Sequence, residues 1–491
     1  MSNVASTSSF QSYSTPSVNN TEQLPDILKR RDTASTNEDD VDTKLWNQTG
    51  LIDRPLDEKL CRHGPNAKCL HCTPLEPYDE GYLKEHKIKH MSFHGYLKKM
   101  TRGIDKGKFA FLEDISCRIK TGCQGHLPWP QGICTKCQPN AITLNQQNYR
   151  HIDNIVFENP SIVDRFLNSW RTTGYQRIGY LFGRYDVHSD VPLGIKAVVL
   201  SIYEPPQTGA SDGIRLEEDP HSKALEQVIC KLGLVKVGWI FTDLVPLDRT
   251  KGTVKCVRGS ESHFLSAQEC IMAGALQNAH PNPCRLSPTG FFGSKFVTVC
   301  VTGNNENQIH MEGYQVSNQC MALVRDNCLV PTKDAPELGY IKETNKEQFV
   351  PDVFYKEKDK FGNEVTKPGR PLPIEYLLVD VPASTPVEPQ YTLNPIPSKN
   401  AFPIGNRVTE VQNLEAVAQY LNQFDNETLF EAFSDLHLLL FLFNCDFLPR
   451  EQMAPLLEAV AKKDRALFSS WISQSQWWST LTSLLDSQGM Y

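Results

Sequence analysis

Apolar spacing divides the chain into stretches of different kind. Residues 1 to about 45 carry Ser, Thr, Asn and Gln with few large apolar side chains. Such a stretch cannot bury enough surface to offset the entropy of ordering, so we expect disorder there. Between 150 and 305, β-rich runs at 152–157, 178–182, 195–203, 235–241 and 296–301 are interleaved with helical spacing at 161–170, 222–232 and 265–277. That order predicts an α/β or α+β domain around one central sheet. Residues 306–407 read as an extension of it, ending in a Pro-rich connection from about 371 to 403 that marks a change of unit. The last stretch, 408–491, has helical periodicity, with helices expected at about 409–423, 427–443, 450–462 and 465–486 and Asn426 and Asp464 as N-caps. Its most apolar run, 436–443, is far shorter than the ~18 residues of a spanning helix and reads as a buried helix.

Residues 46–148 show little pattern of either kind. One short amphipathic helix is expected at 91–100, with Phe93, Tyr96 and Leu97 on one face. What the stretch does carry is Cys61-x-His63-x5-Cys69-x2-Cys72 and Cys123-x2-His126-x7-Cys134-x2-Cys137. A tetrahedral zinc ion needs four converging soft or borderline donors, and a close pair of ligands can share one tight turn. Each cluster supplies two such pairs. Seven of the 15 cysteines fall between 61 and 137, which argues against chance scatter. The chain opens without a basic start or an apolar signal core, so we expect a cytosolic or nuclear setting, where paired cysteines bind metal sooner than they form disulfides. Two structural Zn2+ ions follow, each with four protein ligands and no position left for a reacting water. His71 and Cys117 are spare donors. His71 should point away from its turn. Cys117 could replace His126, but His126 is preferred because Cys-x2-His mirrors Cys-x2-Cys.

Composition narrows the function. The 491 residues suggest two to four domains, at ~100–200 residues each. A net charge of −7 argues against general nucleic-acid binding. A local basic stretch, with Lys84, Lys87, Lys89, Lys98, Lys99, Arg102, Lys106 and Lys108, is either a solvated surface or a docking site for an acidic protein. No G-x-x-x-x-G-K-[ST], G-x-S-x-G or His-Glu-x-x-His occurs. The cysteines after 137 lie among apolar residues and read as small buried hydrophobes.

One motif is informative for what it lacks. Val237-Gly238-Trp239 resembles the strand end that precedes the metal-binding His-x-His of Mov34/MPN isopeptidases, yet Phe241 and Asp243 stand at the two histidine positions. Downstream, Ser266-Ala267-Gln268-Glu269 resembles the Ser-x-x-Asp element, with Glu for Asp. We expect an inactive relative of that fold, with Asp243 capping a strand end or hydrogen-bonding at the surface. Other matching segments run in order: Cys61-Arg62-His63-Gly64; Ile88-Lys89-His90-Met91-Ser92-Phe93-His94; Gly125-His126-Leu127-Pro128-Trp129-Pro130; Gly132-Ile133-Cys134-Thr135-Lys136-Cys137; Arg177-Ile178-Gly179-Tyr180-Leu181-Phe182-Gly183; Ile202-Tyr203-Glu204-Pro205-Pro206-Gln207; and Gly290-Phe291-Phe292-Gly293-Ser294-Lys295-Phe296. Together they resemble the nuclear protein localization protein 4 family, the ubiquitin-recognition cofactors of the valosin-containing AAA ATPase.

The resemblance implies an α+β multidomain chain: two small zinc fingers, an inactive MPN domain and a C-terminal, mostly helical domain. It implies a heterodimer with ubiquitin-fusion degradation protein 1, fingers resting on the ATPase ring, and binding of polyubiquitin and of an unfolded ubiquitin by the central and C-terminal domains. It also implies residence in cytoplasm and nucleus, and a peripheral position at the endoplasmic reticulum through partners, without membrane insertion. The family's N-terminal ubiquitin-like domain has no counterpart in the pattern of residues 1–45. No cysteine follows Cys445, where some relatives carry a further finger. The alternatives are an active MPN-type metal-dependent deubiquitinase and a zinc-finger nucleic-acid binder. The missing histidines count against the first, the acidic balance against the second.

Overall fold

The computed structural model describes residues 38–57, 59–64, 67–102, 112, 114–248, 251–393, 400–445 and 450–487. Its centre is an eight-stranded mixed sheet. In spatial order the strands are Leu378–Val381, Ile309–Val316, Val297–Gly303, Val235–Thr242, Ile178–His188, Gly194–Tyr203, Asn154–Phe157 and Ala383–Ser384. The five expected β-rich runs all lie in it. The two edge strands are consecutive stretches of one segment, joined at Pro382, whose carbonyl accepts from Ile155 N at 2.8 Å. This segment therefore ties one edge of the sheet to the other and leaves neither edge as a template for stray pairing. Ile309–Val316 and 378–384, both beyond residue 305, complete this sheet.

Helix Pro160–Thr173 covers one face. The Asn159 side chain accepts from Ile162 N, Pro160 sits in the first turn, and Gly174 ends the helix at φ 75°. Ile162, Phe166 and Trp170, at i, i+4 and i+8, are buried against Phe157, Val199 and Ile240. Helices Ala267–Ala279 and Asn318–Arg325 contribute to a further core with the small sheet Leu329–Pro331, Leu338–Ile341 and Leu372–Pro373. Among the described residues no helix is long and apolar enough to cross a membrane.

The C-terminal region is helical as expected, with corrections to three helices and one cap. The helix expected at 409–423 is Leu414–Leu421, started by the Asn413 side chain. The helix expected at 427–443 is Leu429–Ala432 followed by Leu436–Phe443, because Asp435 starts a new helix by accepting from His437 N at 2.8 Å. The one expected at 465–486 breaks at Ser475 into Arg465–Gln474 and Gln476–Ser487. Asp464 is an N-cap, accepting from Ala466 N and Leu467 N. Asn426 is not: Asp425 holds that turn, accepting from Glu427 N and Thr428 N. Nor do these helices own their core. Leu439, Phe443 and Trp477 share one cluster with Phe182 and Leu200 of the sheet and Val228 of helix Ser222–Lys231. Buried ion pairs line the seam, with Arg407 and Arg177 on Glu204 and Arg165 on Asp435 at 3.1 Å.

Disorder up to residue 45 is also corrected at its end. Residues 1–37 lie outside the described residues, but Asp40–Trp46 is a helix with Val41, Asp42 and Leu45 buried. Charge holds it: Asp42 accepts from His94 Nε2 at 2.9 Å and pairs with buried Lys295, and Glu38 accepts from Arg285 Nε at 2.7 Å. The expected helix at 91–100 is Phe93–Thr101, with Met91–Ser92 instead a short strand beside Tyr149–Arg150.

His151 lies behind this strap, its ring tilted against that of Phe93 with centroids 4.2 Å apart, and neither ring nitrogen is hydrogen-bonded. Burial, then the charge of Lys295, drives its pKa from 6.5 to about 3, against opposing pull from Asp42. A histidine depressed in the folded state contributes stability that is present above pH 6.5 and lost as pH falls from 6.5 toward 3. Asp153, raised by burial from 3.8 to about 6, works the other way between pH 6 and 3.8. His151→Phe, which loses no hydrogen bond, is therefore expected to lose less stability than the wild type between pH 7 and 4.5. Urea unfolding at the two pH values reads this, and an unchanged difference contradicts it.

Candidate metal centres and central cleft

The eight sequence-predicted ligands fall into two groups of four, Cys61, His63, Cys69, Cys72 and Cys123, His126, Cys134, Cys137, with the donor atoms of each group within 4.8 Å of one another. In the first, Cys69 Sγ is 3.6 Å from Cys61 Sγ and 3.8 Å from Cys72 Sγ, and His63 Nε2 is 3.2 Å from Cys72 Sγ. The second repeats this, with 3.6 Å for Cys123–Cys134, 3.7 Å for Cys134–Cys137 and 3.2 Å for His126 Nε2–Cys137. A tetrahedron with arms of about 2.3 Å has edges of about 3.8 Å. The sulfurs are thus spaced for a shared ion and too far apart for disulfides, which need about 2.0 Å.

The local chain explains the match. His63 Nδ1 donates to the Gly64 carbonyl at 2.9 Å and His126 Nδ1 to that of Leu127 at 2.6 Å. Each bond fixes the ring and leaves Nε2 as the free donor to metal. A Cβ at Gly132 would meet the Leu127 carbonyl at 2.9 Å, so the second loop closes around His126 only with glycine there. The backbone N–H of His71 lowers the Cys69 thiol to about 6, and that of Cys137 does the same for Cys134. One thiolate in each group is thus favoured in advance, while the neighbouring Cys61 and Cys123 thiols are pushed up. Each finger also exposes a leucine beside its ligands: Leu70 is 89% exposed and Leu127 68%.

The spare donors separate cleanly. His71 is exposed and outside its cluster. Cys117 is buried beside Cys328, its backbone N donating to Asp326 Oδ2 at 2.8 Å, so it belongs to the core and not to the second finger. Lys84, Lys87, Lys89, Lys99 and Arg102 of the basic stretch are exposed, while Lys106 and Lys108 lie outside the described residues.

Phe241 and Asp243 close the central strand as expected, but Asp243 is not a surface residue. It is 5% exposed and accepts from Arg258 Nε at 2.7 Å. The other end of the same guanidinium grips Glu269, through Nη1 at 2.7 Å and Nη2 at 2.6 Å. Burial pushes the Glu269 carboxyl up, yet the Arg258 charge and hydrogen bonds outweigh it and hold the group below its ordinary range. Phe241 is buried, stacked on Trp239 at 4.9 Å. The space between Asp243 and Glu269, the positions that resemble the isopeptidase motif, is filled by the Arg258 guanidinium.

A separate open cleft of about 930 Å³ runs beside the start of strands Ile178–His188 and Val235–Thr242 and along helix Ser222–Lys231. Tyr180, Phe182, Tyr185, Leu225, Ile229 and Leu234 give it an apolar lining. Glu217, Asp219 and Glu226 make its rim acidic, and Lys236 Nζ sits 4.2 Å above the Tyr180 ring.

Comparison with known proteins agrees with this architecture. The model of the NPL4 family matches residues 177–486, and that of the family's zinc binding region matches residues 36–174. The chain belongs to the NPL4 family. It is 59% identical to the nuclear protein localization protein 4 homolog of Drosophila melanogaster over 430 residues, 87% of this chain and 66% of that protein. It is 56% identical to the Homo sapiens homolog over 457 residues, 92% and 75% of the two chains, and 37% identical to the Saccharomyces cerevisiae protein over 465 residues, 91% and 80%. Both clusters of this NPL4 chain fall inside the zinc-binding match, which supports zinc as the metal. Arg258 escaped the sequence reading because it lies 15 residues beyond Asp243, in a stretch with no motif. The signal was there in another form: two carboxylates flanking an apolar strand end demand a cation.

Proposed function

We propose that this chain is a non-catalytic adaptor. With ubiquitin-fusion degradation protein 1, it brings polyubiquitinated substrates to the valosin-containing AAA ATPase for unfolding and proteasomal degradation, including degradation from the endoplasmic reticulum. The observation that carries the reading is the coexistence, in one domain, of an open apolar cleft and a filled metal position. Such a domain can hold a chain and lacks the ligands to cut one. An extended segment of unfolded ubiquitin fits the cleft chemically, its apolar side chains against Tyr180, Tyr185 and Leu234 and its basic ones toward the acidic rim.

The finger region, 46–148, then acts as a brace on the ATPase ring, with two structural zinc ions held by the eight ligands. Leu70 and Leu127 are its apolar contacts, and the basic stretch from Lys84 adds salt-sensitive attraction. Residues 150–305 with their extension 306–407, and the helices of 408–491, read ubiquitin. The assembly works in cytoplasm and nucleus and reaches the endoplasmic reticulum membrane through partners.

Capture of the ATPase and of polyubiquitin by the immobilised chain tests the reading, and failure to retain either defeats it. Leu70→Glu with Leu127→Glu is expected to keep the bound metal and weaken ATPase capture roughly tenfold or more, as for central interface anchors. Undiminished capture would remove the fingers from that contact.

A further inference from the structure

The geometry points to Arg258 as the resident cation of this domain: a guanidinium that permanently replaces the metal ion of the isopeptidase motif and does its structural work. The side chain is 1% exposed, and the side chains of its partners Asp243 and Glu269 are 7% and 0% exposed. Four contacts converge on it. Nε donates to Asp243 at 2.7 Å, Nη1 to Glu269 at 2.7 Å and to the Phe264 carbonyl at 2.9 Å, and Nη2 to Glu269 at 2.6 Å. It therefore joins three separate pieces: the end of strand Val235–Thr242, the loop before residue 265 and the first turn of helix Ala267–Ala279.

Those are the pieces an isopeptidase metal would join, and the residues here do not fit a metal. Phe241 offers no donor, and its ring lies 5.5 Å from the guanidinium carbon, an apolar wall that suits a weakly hydrated planar cation. Glu269 has a second task, accepting from Ser266 N at 2.8 Å in a capping box, which fixes its carboxylate for a two-pronged partner. Two buried carboxylates with no cation would repel each other in a medium of low dielectric. Loss of the two histidines alone would have left that problem standing. Arg258 solves it with a charge that cannot dissociate, cannot activate water and is supplied by the chain itself.

The test is chemical rescue of Arg258→Ala. This substitution removes an ethylguanidinium unit and leaves a cavity between the two carboxylates. The melting temperature of the variant is expected to fall. Millimolar ethylguanidinium should restore about 5 °C or more, as expected for a ligand that binds only the folded state. Mn2+, a divalent cation that accepts oxygen ligands, should restore part of the loss and appear as one bound ion absent from wild type. Wild type should respond to neither. If the variant does not fold alone, refolding with and without each cation reads the same quantity, as the yield of folded chain. Recovery that depends on ethylguanidinium supports the assignment. A variant that stays as stable as wild type, or one that is destabilised and that neither cation restores, overturns it and leaves Arg258 as ordinary core packing.

Discussion

Stripping the metal with a strong chelator is expected to unfold both finger loops while the rest of the chain stays folded. Among the described residues, 53–79 and 112–141 contain no helix and no ladder of strands; one isolated bridge, Ile52 with Leu75, closes the first loop. No apolar cluster is built from these loops alone. Cys117 and Ile115 at the start of the second pack into a core that belongs to the central domain. Metal is then the main source of order. Binding energies of about 10–16 kcal/mol for small structural zinc sites exceed anything such loops could gain from packing. Limited proteolysis should cut within both loops after chelation and spare the sheet and helices, whose cores lie elsewhere. The ligand set makes the outcome specific. His126→Ala should lose one ion of two, whereas Cys117→Ser should lose none. Loops that resist protease with the metal gone, or a Cys117→Ser protein short of one ion, would contradict this.

The second large effect is expected at the cleft. Tyr180→Ala together with Leu234→Asp should weaken binding of an unfolded ubiquitin segment by about 100-fold, the scale of central anchors in an interface. Both side chains are only partly buried, so their loss changes the lining more than the core. Lys236 loses the nearer of its two ring partners in the same variant and keeps Phe182. Fluorescence anisotropy with a labelled unfolded ubiquitin reads the affinity, and circular dichroism confirms that the fold is kept. Unchanged affinity in a folded variant would place the unfolded chain elsewhere on the molecule.

Particular residues show how far the sequence could be read. The convergence of the two Cys/His groups was legible because ligand spacing is a local property: two close pairs per group, each within a turn. The β-rich runs were legible because strands buried on both faces are largely apolar, as in Gly194–Tyr203, where Lys196 and Ser201 are the only polar interruptions. Strand Ile309–Val316 was not, since its first half alternates Ile309, His310, Met311 and Glu312 at partial exposure. The closing segment 378–384 was hidden inside the Pro-rich stretch from 371 to 403, which reads as a connection although Pro382 needs no N–H to pass between two short strands. Helix Asp40–Trp46 was missed for a similar reason. It has only Val41, Leu45 and Trp46 as apolar anchors and is held by Lys295, His94 and Arg285, partners that lie far along the chain. Arg258 and the cleft are likewise products of tertiary contact, which periodicity cannot report.

The central claim is that this chain works by binding and cuts nothing. Incubation of the purified, zinc-loaded chain with ubiquitin chains tests it most directly, when retention on the protein and release of monoubiquitin are followed together over hours. The account predicts retained, intact ubiquitin chains and no release, with excess zinc making no difference. Time-dependent release of monoubiquitin, abolished by Glu269→Gln, would contradict it.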